Sequence, residues 1–112
     1  MQKTENYREL ARTCIVNMIK QLTSAMQHYN NYAGKDNRNA GLYNNEVQRL
    51  CRLLSACGFK PNITQAETVR NDERYLVYES IDFEHHSIQL RDLGVTDAIG
   101  NSGYNTRHKF TY

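Results

Sequence analysis

Apolar side chains first recur at helical spacing: Tyr7, Ala11, Cys14, Ile15, Met18, Ile19, Leu22, Ala25, Met26 and Tyr29. Steps of three and four place them on one broad stripe, which predicts a helix over roughly residues 5–32. Thr4 is its expected N-cap and Gly34 its expected stop. At a rise of about 1.5 Å per residue this helix is about 40 Å long, as wide as a domain of this size. One end is therefore expected to project, or to pair with a second copy of the chain.

The stretch AGKDNRNAGLYNN (33–45) is rich in Asn and Gly and reads as a loop. A second helix is expected over 46–57. Asn45 with Gln48 matches a capping box, and Val47, Leu50, Cys51, Leu54 and Cys57 repeat at i, i+3, i+4. Gly58 followed by Phe59 has the form of a Schellman stop, and Pro61 prevents the helix from resuming.

After Pro61 the period changes. Residues 63–69 and 74–83 are rich in β-branched and aromatic side chains, with NDE (71–73) as a turn between them. Tyr75, Val77, Ile81 and Phe83 share one parity, with Glu79 the exception. Ile88 and Leu90 have the opposite parity, which places a second turn at EHHS (84–87) between strands 74–83 and 87–92. Thr64 with Glu67 also matches a capping box, so a helix is the competing reading of the first run. The last residues form either an edge strand or a tail, with His108, Phe110 and Tyr112 on one face. The fold expected is α+β in one domain, residues 1–112. A long N-terminal helix and a shorter second helix pack on a small antiparallel sheet of three or four strands spanning about 62–112. The expected core is Cys14, Ile15, Met18, Leu22, Val47, Leu50, Leu54, Phe59, Val77 and Ile81.

Composition narrows the function. A chain of 112 residues suits a single core. No apolar run approaches the roughly 18 residues needed to span a bilayer. The N-terminal MQKTENYREL is charged where a signal peptide is apolar, so a cytoplasmic protein is expected. The three cysteines, Cys14, Cys51 and Cys57, lack disulfide spacing and read as small buried hydrophobes. Net charge is +2, but residues 1–60 carry +5 and residues 61–106 carry −5. The two halves are expected to attract each other, or to present a bipolar surface.

DFEHHSIQL (82–90) looks most like chemistry. On a continuous strand Asp82, Glu84 and His86 project from one face and suit a divalent metal, the basis of a metal-dependent enzyme reading. Adjacent His85 and His86 point to opposite faces, however, and no CxxC or HxxxH spacing supplies further ligands. The segment reads first as an exposed turn. AGKDNRNAG lacks the GxxxxGK[ST] order of a phosphate loop, and no nucleophile motif is present. No cofactor, metal or catalytic residue is assigned, and a protein without catalytic activity is expected.

Binding remains. In HYNNYAGKDNRNAGLYNN (28–45) tyrosines stand beside Asn and basic residues, a mixture suited to protein interfaces. Tyr32, Lys35, Arg38 and Tyr43 are the candidate partner-binding residues. The expected function is a small interaction protein that binds and modulates or inhibits a larger protein or nucleoprotein assembly, in the manner of a phage or mobile-element accessory protein. The alternative is nucleic-acid binding through Arg8, Arg12, Lys35, Arg38, Arg49 and Arg52.

Overall fold

In the computed structural model the described residues are 2–84 and 107–112, excluding the side chains of residues 2–9, 11, 12 and 84. Their elements run α1 (Gln2–Tyr32), α2 (Asn37–Ala56), β1 (Lys60–Arg70), β2 (Glu73–Glu84) and β3 (His108–Lys109). The two helices pack on an antiparallel sheet of order β1-β2-β3, an α+β arrangement. No helix among the described residues is long and apolar enough to cross a membrane.

α1 begins at Gln2, so Thr4 lies inside it rather than at its cap. Its core-facing residues are Ile15, Ile19, Leu22, Ala25 and Met26. Leu10, Thr13 and Cys14 are exposed, so Cys14 leaves the expected core, which starts at Ile15 among the described side chains. Cys57 is also exposed and Cys51 is half-buried, so only Cys51 approaches the buried role expected of all three.

The main correction concerns residues 33–45. α2 starts at Asn37, nine residues before the expected start, and only Ala33–Asp36 connect the helices. Asp36 is the N-cap: its carboxylate accepts from the Asn39 backbone N–H at 3.2 Å and from the Asn39 amide at 2.7 Å. Helical spacing continues upstream through Ala40, Tyr43 and Asn44 into Val47. Burial of that face outweighs the poor helix propensity of Asn and Gly. The C-terminus follows expectation: Gly58 has φ 91°, its N–H donates to Ser55 O (3.0 Å), and the Phe59 N–H donates to Leu54 O (2.9 Å).

β1 and β2 form a long hairpin, which excludes the helical reading of Thr64 and Glu67. Its two-residue turn, Asn71–Asp72, has φ 54° and 63°, the left-handed pair of a type I′ turn. Opposite Thr64/Gln65 the register slips: Thr64 faces Ser80 and Gln65 faces Tyr78, leaving Glu79 without a partner on β1. This bulge accounts for the parity break at Glu79. It brings Tyr78 to the same core as Ile81 and Phe83 despite its even number, whereas Val77 is buried outside that cluster. Glu84, the first residue of the expected EHHS turn, ends β2, while the rest of that turn and the strand at 87–92 lie outside the described residues.

The hairpin's turn end docks on the C-terminus of α1. The Arg70 guanidinium donates to the carbonyls of Asn30 (2.6 Å) and Ala33, capping helix carbonyls that lack an intrahelical partner. On β2's second edge, β3 pairs only at Ser80 and Ile81, and the Phe110 N–H donates to Glu79 O. There α1 takes over the role of a strand. Fully buried Asn30 accepts from the Tyr78 N–H (2.8 Å) and donates to Tyr78 O (2.7 Å) and Thr111 O (3.1 Å). The Gln27 amide brackets Thr111 in the same way, accepting from its N–H and donating to its O, each at 3.0 Å. The C-terminal segment is thus docked, with Phe110 in the core.

Candidate groove between the second helix and the hairpin

After Gly58 and Phe59 the chain reverses, so β1 runs back alongside α2. Val47, Leu50 and Leu54 turn into the core, while the flank of α2 nearer β1 carries Asn44, Gln48, Cys51, Arg52 and Ser55. Between this flank and Ile63, Gln65, Leu76 and Tyr78 of the hairpin lies an open groove of about 750 Å³, with Tyr29 at its inner end. A smaller hollow of about 340 Å³ adjoins it through the shared residues Cys51, Arg52 and Ile63, and ends at Ser55, Lys60 and Pro61.

The groove exposes apolar surface. Ile63 is 36% and Leu76 52% exposed. The tyrosines at one end are tied to both walls: the Tyr29 hydroxyl donates to Leu76 O (3.0 Å), the Tyr78 hydroxyl donates to Asn44 Oδ1 (2.6 Å), and the two rings pack 5.0 Å apart. Burial, with the nearby Tyr29 and Cys51, raises the Tyr78 phenol to about 12. Burial also raises the Cys51 thiol, which keeps it protonated and a poor nucleophile. The groove is thus neutral where Tyr29 and Tyr78 meet, and Arg52 is the one charged side chain among its described lining residues.

The four candidate partner-binding residues lie elsewhere. Tyr32 and Tyr43 stack nearly parallel with centroids 5.7 Å apart, and His28 stacks on Tyr43 at 4.9 Å. Tyr43 packs against the core, so much of its surface is committed to the α1–α2 interface. Lys35, in the connection, and Arg38, in the first turn of α2, are exposed. With four residues between the helices, the argument from an unusually long loop no longer holds.

Of the candidate nucleic-acid residues, Arg38, Arg49 and Arg52 fall within about 60° of one another around α2, opposite its buried stripe. Arg49 is bidentate to Glu46 (2.6 and 3.1 Å), which holds that carboxyl below its usual range and raises the guanidinium. The Arg8 and Arg12 side chains lie outside those described. Asp82 is half-buried on β2, the Glu84 side chain and His86 lie outside the described residues, and no group of three metal-ligating side chains converges among the described ones.

Sequence reading missed Ile63, Leu76, Cys51 and Lys60 as groove residues. The apolar alternation of the hairpin contained a signal, since Leu76 interrupts it as an apolar residue at an even position. Which helix flank faces β1 is set by tertiary packing. No protein-family model matches the chain, and no curated protein or solved structure matches it.

Proposed function

We propose that this protein is a small interaction module that binds a segment of a larger protein in the groove between α2 and the β1–β2 hairpin, and modulates that partner without chemistry of its own. The observation that carries this reading is the exposed apolar wall of Ile63 and Leu76, set in a concave surface and rimmed by the amides of Asn44, Gln48 and Gln65. Apolar surface ringed by polar groups is the usual form of a docking site. This moves the partner site from Tyr32 and Tyr43, whose rings are stacked on each other, to the opposite flank of α2. A random-peptide display library selected on the protein tests it. Enriched peptides should bind the wild type and lose binding to Leu76→Asn, whose side chain is too exposed to matter much for folding. Failure to enrich any peptide, or binding indifferent to Leu76→Asn, would sink the reading.

A second reading is supported by the alignment of Arg38, Arg49 and Arg52 on the outer face of α2: contact with nucleic-acid phosphates. With Arg49 held by Glu46, Arg38 and Arg52 remain, and two neutralised phosphates on a duplex imply a roughly tenfold loss of affinity between 50 and 200 mM salt. A titration with random duplex oligonucleotides that finds no binding at 50 mM salt, or no salt dependence, removes this alternative.

A further inference from the structure

We infer that the chain pairs with a second copy of itself through the outer edge of β1, antiparallel and with Ala66 on the two-fold axis, joining the two hairpins into one continuous sheet. Among the described strands β1 has a neighbour only on its β2 side. Gln65, Glu67 and Val69 are exposed, Val69 to 65%. The direction of the backbone groups at this edge follows from β2. Tyr78 turns its N–H and C=O away from β1, because Asn30 holds both, and the Leu76 carbonyl points the same way, to Tyr29. Residues directly opposite in an antiparallel ladder either face each other or both face outward. Gln65 and Glu67, the partners of Tyr78 and Leu76, therefore point their own N–H and C=O groups outward, and alternation adds Ile63 and Val69. Exposed edges are normally blunted by Pro or by charge. Pro61 does so at the start of the strand, but residues 62–69 hold a single charged side chain, Glu67.

The order of side chains along β1 selects the register. With Ala66 opposite Ala66 of the second copy, Ile63 falls on Val69, Thr64 on Thr68 and Gln65 on Glu67, each twice by symmetry. Ile63 and Val69 are the only large apolar side chains of β1, and both are exposed. Both also sit at outward-pointing backbone positions. One register thus satisfies the outward N–H and C=O groups, with about eight hydrogen bonds across the axis, and covers both aliphatic side chains. An axis at Gln65 would set Ile63 on Glu67, and an axis at Glu67 would set that carboxylate against its own copy. An unrelated strand could use the same hydrogen bonds, but the mirrored order Ile63, Thr64, Thr68, Val69 suits a strand that meets itself. Both grooves would then lie on one face of the joined sheet, so the pairing goes beyond the groove reading and does not rest on it.

Sedimentation velocity of the full chain at about 1–100 μM, the affinity range of a small interface, tests the inference. The variants are Val69→Lys, which places a charge on the edge, and Gln65→Pro, which removes one outward donor without touching the bonds to β2. Each is checked for folding by circular dichroism. The expected result is a dimer that forms with rising concentration and is weakened about tenfold or more by either substitution. Cross-linking reads the register, in a Cys14→Ser/Cys57→Ser background. Two copies of residue 66 at the axis form a non-hydrogen-bonded pair with Cα atoms about 4.5 Å apart, within disulfide reach. Two copies of residue 68 stand about 13 Å apart. Mild oxidation should therefore link Ala66→Cys and leave Thr68→Cys unlinked. A monomer at every concentration, or a dimer that either Val69→Lys or Gln65→Pro leaves unchanged, overturns the pairing. A dimer in which Thr68→Cys links as readily as Ala66→Cys overturns the register.

Discussion

Replacing Asn30 by Ala isolates the contact that joins α1 to the central strand. The side chain is fully buried and serves three backbone groups: the Tyr78 N–H, Tyr78 O and Thr111 O. Thr111 O keeps its bond from Gln27 when Asn30 is truncated, so the two Tyr78 groups bear the loss. An unsatisfied buried polar group costs about 1–3 kcal/mol, and the pair therefore about 3 kcal/mol or more. That is a large share of the roughly 5–15 kcal/mol that holds a domain of this size together. It corresponds to a fall of about 10–15 °C in Tm. Asn30→Asp should be at least as damaging at neutral pH, because it keeps an acceptor for the Tyr78 N–H but aims a buried carboxylate at two carbonyls. Urea denaturation followed by circular dichroism gives the free energies, and hydrogen exchange at the Tyr78 amide reports the local opening. A loss below about 1 kcal/mol in both variants, with Tyr78 still protected, would refute the assignment of Asn30 as the surrogate strand.

Gly34 has φ +78°, and an added Cβ would stand 2.7 Å from the Tyr75 ring and 3.2 Å from Arg70 Cβ. Gly34→Ala should cost more than about 1 kcal/mol in chemical denaturation, and an unchanged midpoint would mean that the connection re-forms without strain. Tyr78→Phe removes the bond to Asn44 and should cost about 1 kcal/mol at neutral pH. Because the folded phenol titrates near 12 rather than the ordinary value near 10, the wild type loses stability as pH rises through this interval while the Phe variant loses less. The gap between them should therefore close above about pH 10, and a constant gap would contradict the burial of the phenol. Alkylation followed by mass spectrometry should modify the exposed Cys14 and Cys57 promptly and Cys51 about tenfold more slowly, whereas equal rates would place the Cys51 thiol in open solvent.

Elements whose signals are local agreed with the sequence, and those decided by tertiary contact did not. The Gly58–Phe59 stop was readable because a left-handed residue and a returning hydrophobe are both specified within six residues. The hairpin was readable from its change of period, although Asn71 and Asp72, rather than all of NDE, make the turn. The first turns of α2 were not, because Asn and Gly dominate them and their helical register depends on burial of Ala40, Tyr43 and Asn44 against neighbours. Tyr78 failed for a similar reason: an alternating pattern read without the Glu79 bulge assigns it to the wrong face. Asn30 was hidden most completely, since a polar residue on an apolar stripe looks like an interruption until its two partners on Tyr78 are known. The groove was hidden by the first two of these, being built from the flank of a helix whose first half read as loop and from a strand whose parity breaks.

The division of labour between the helices narrows where a partner can bind. The C-terminal half of α1 is occupied by the fold: its apolar stripe faces the core, Gln27 and Asn30 hold the sheet and the C-terminal segment, and its last carbonyls are capped by Arg70. α2 gives up only one stripe to the core, leaving one flank at the groove and an outer face with three arginines. Arg52 stands at the boundary of these two surfaces, lining the groove while sharing the outer stripe with Arg38 and Arg49. Loss of binding in an Arg52 variant alone is therefore uninformative about which surface is used. Leu76 belongs only to the groove and Arg38 only to the outer face, so that pair separates the readings. A partner sensitive to Leu76→Asn and indifferent to Arg38→Glu is held in the groove, and the reverse pattern places it on the outer face.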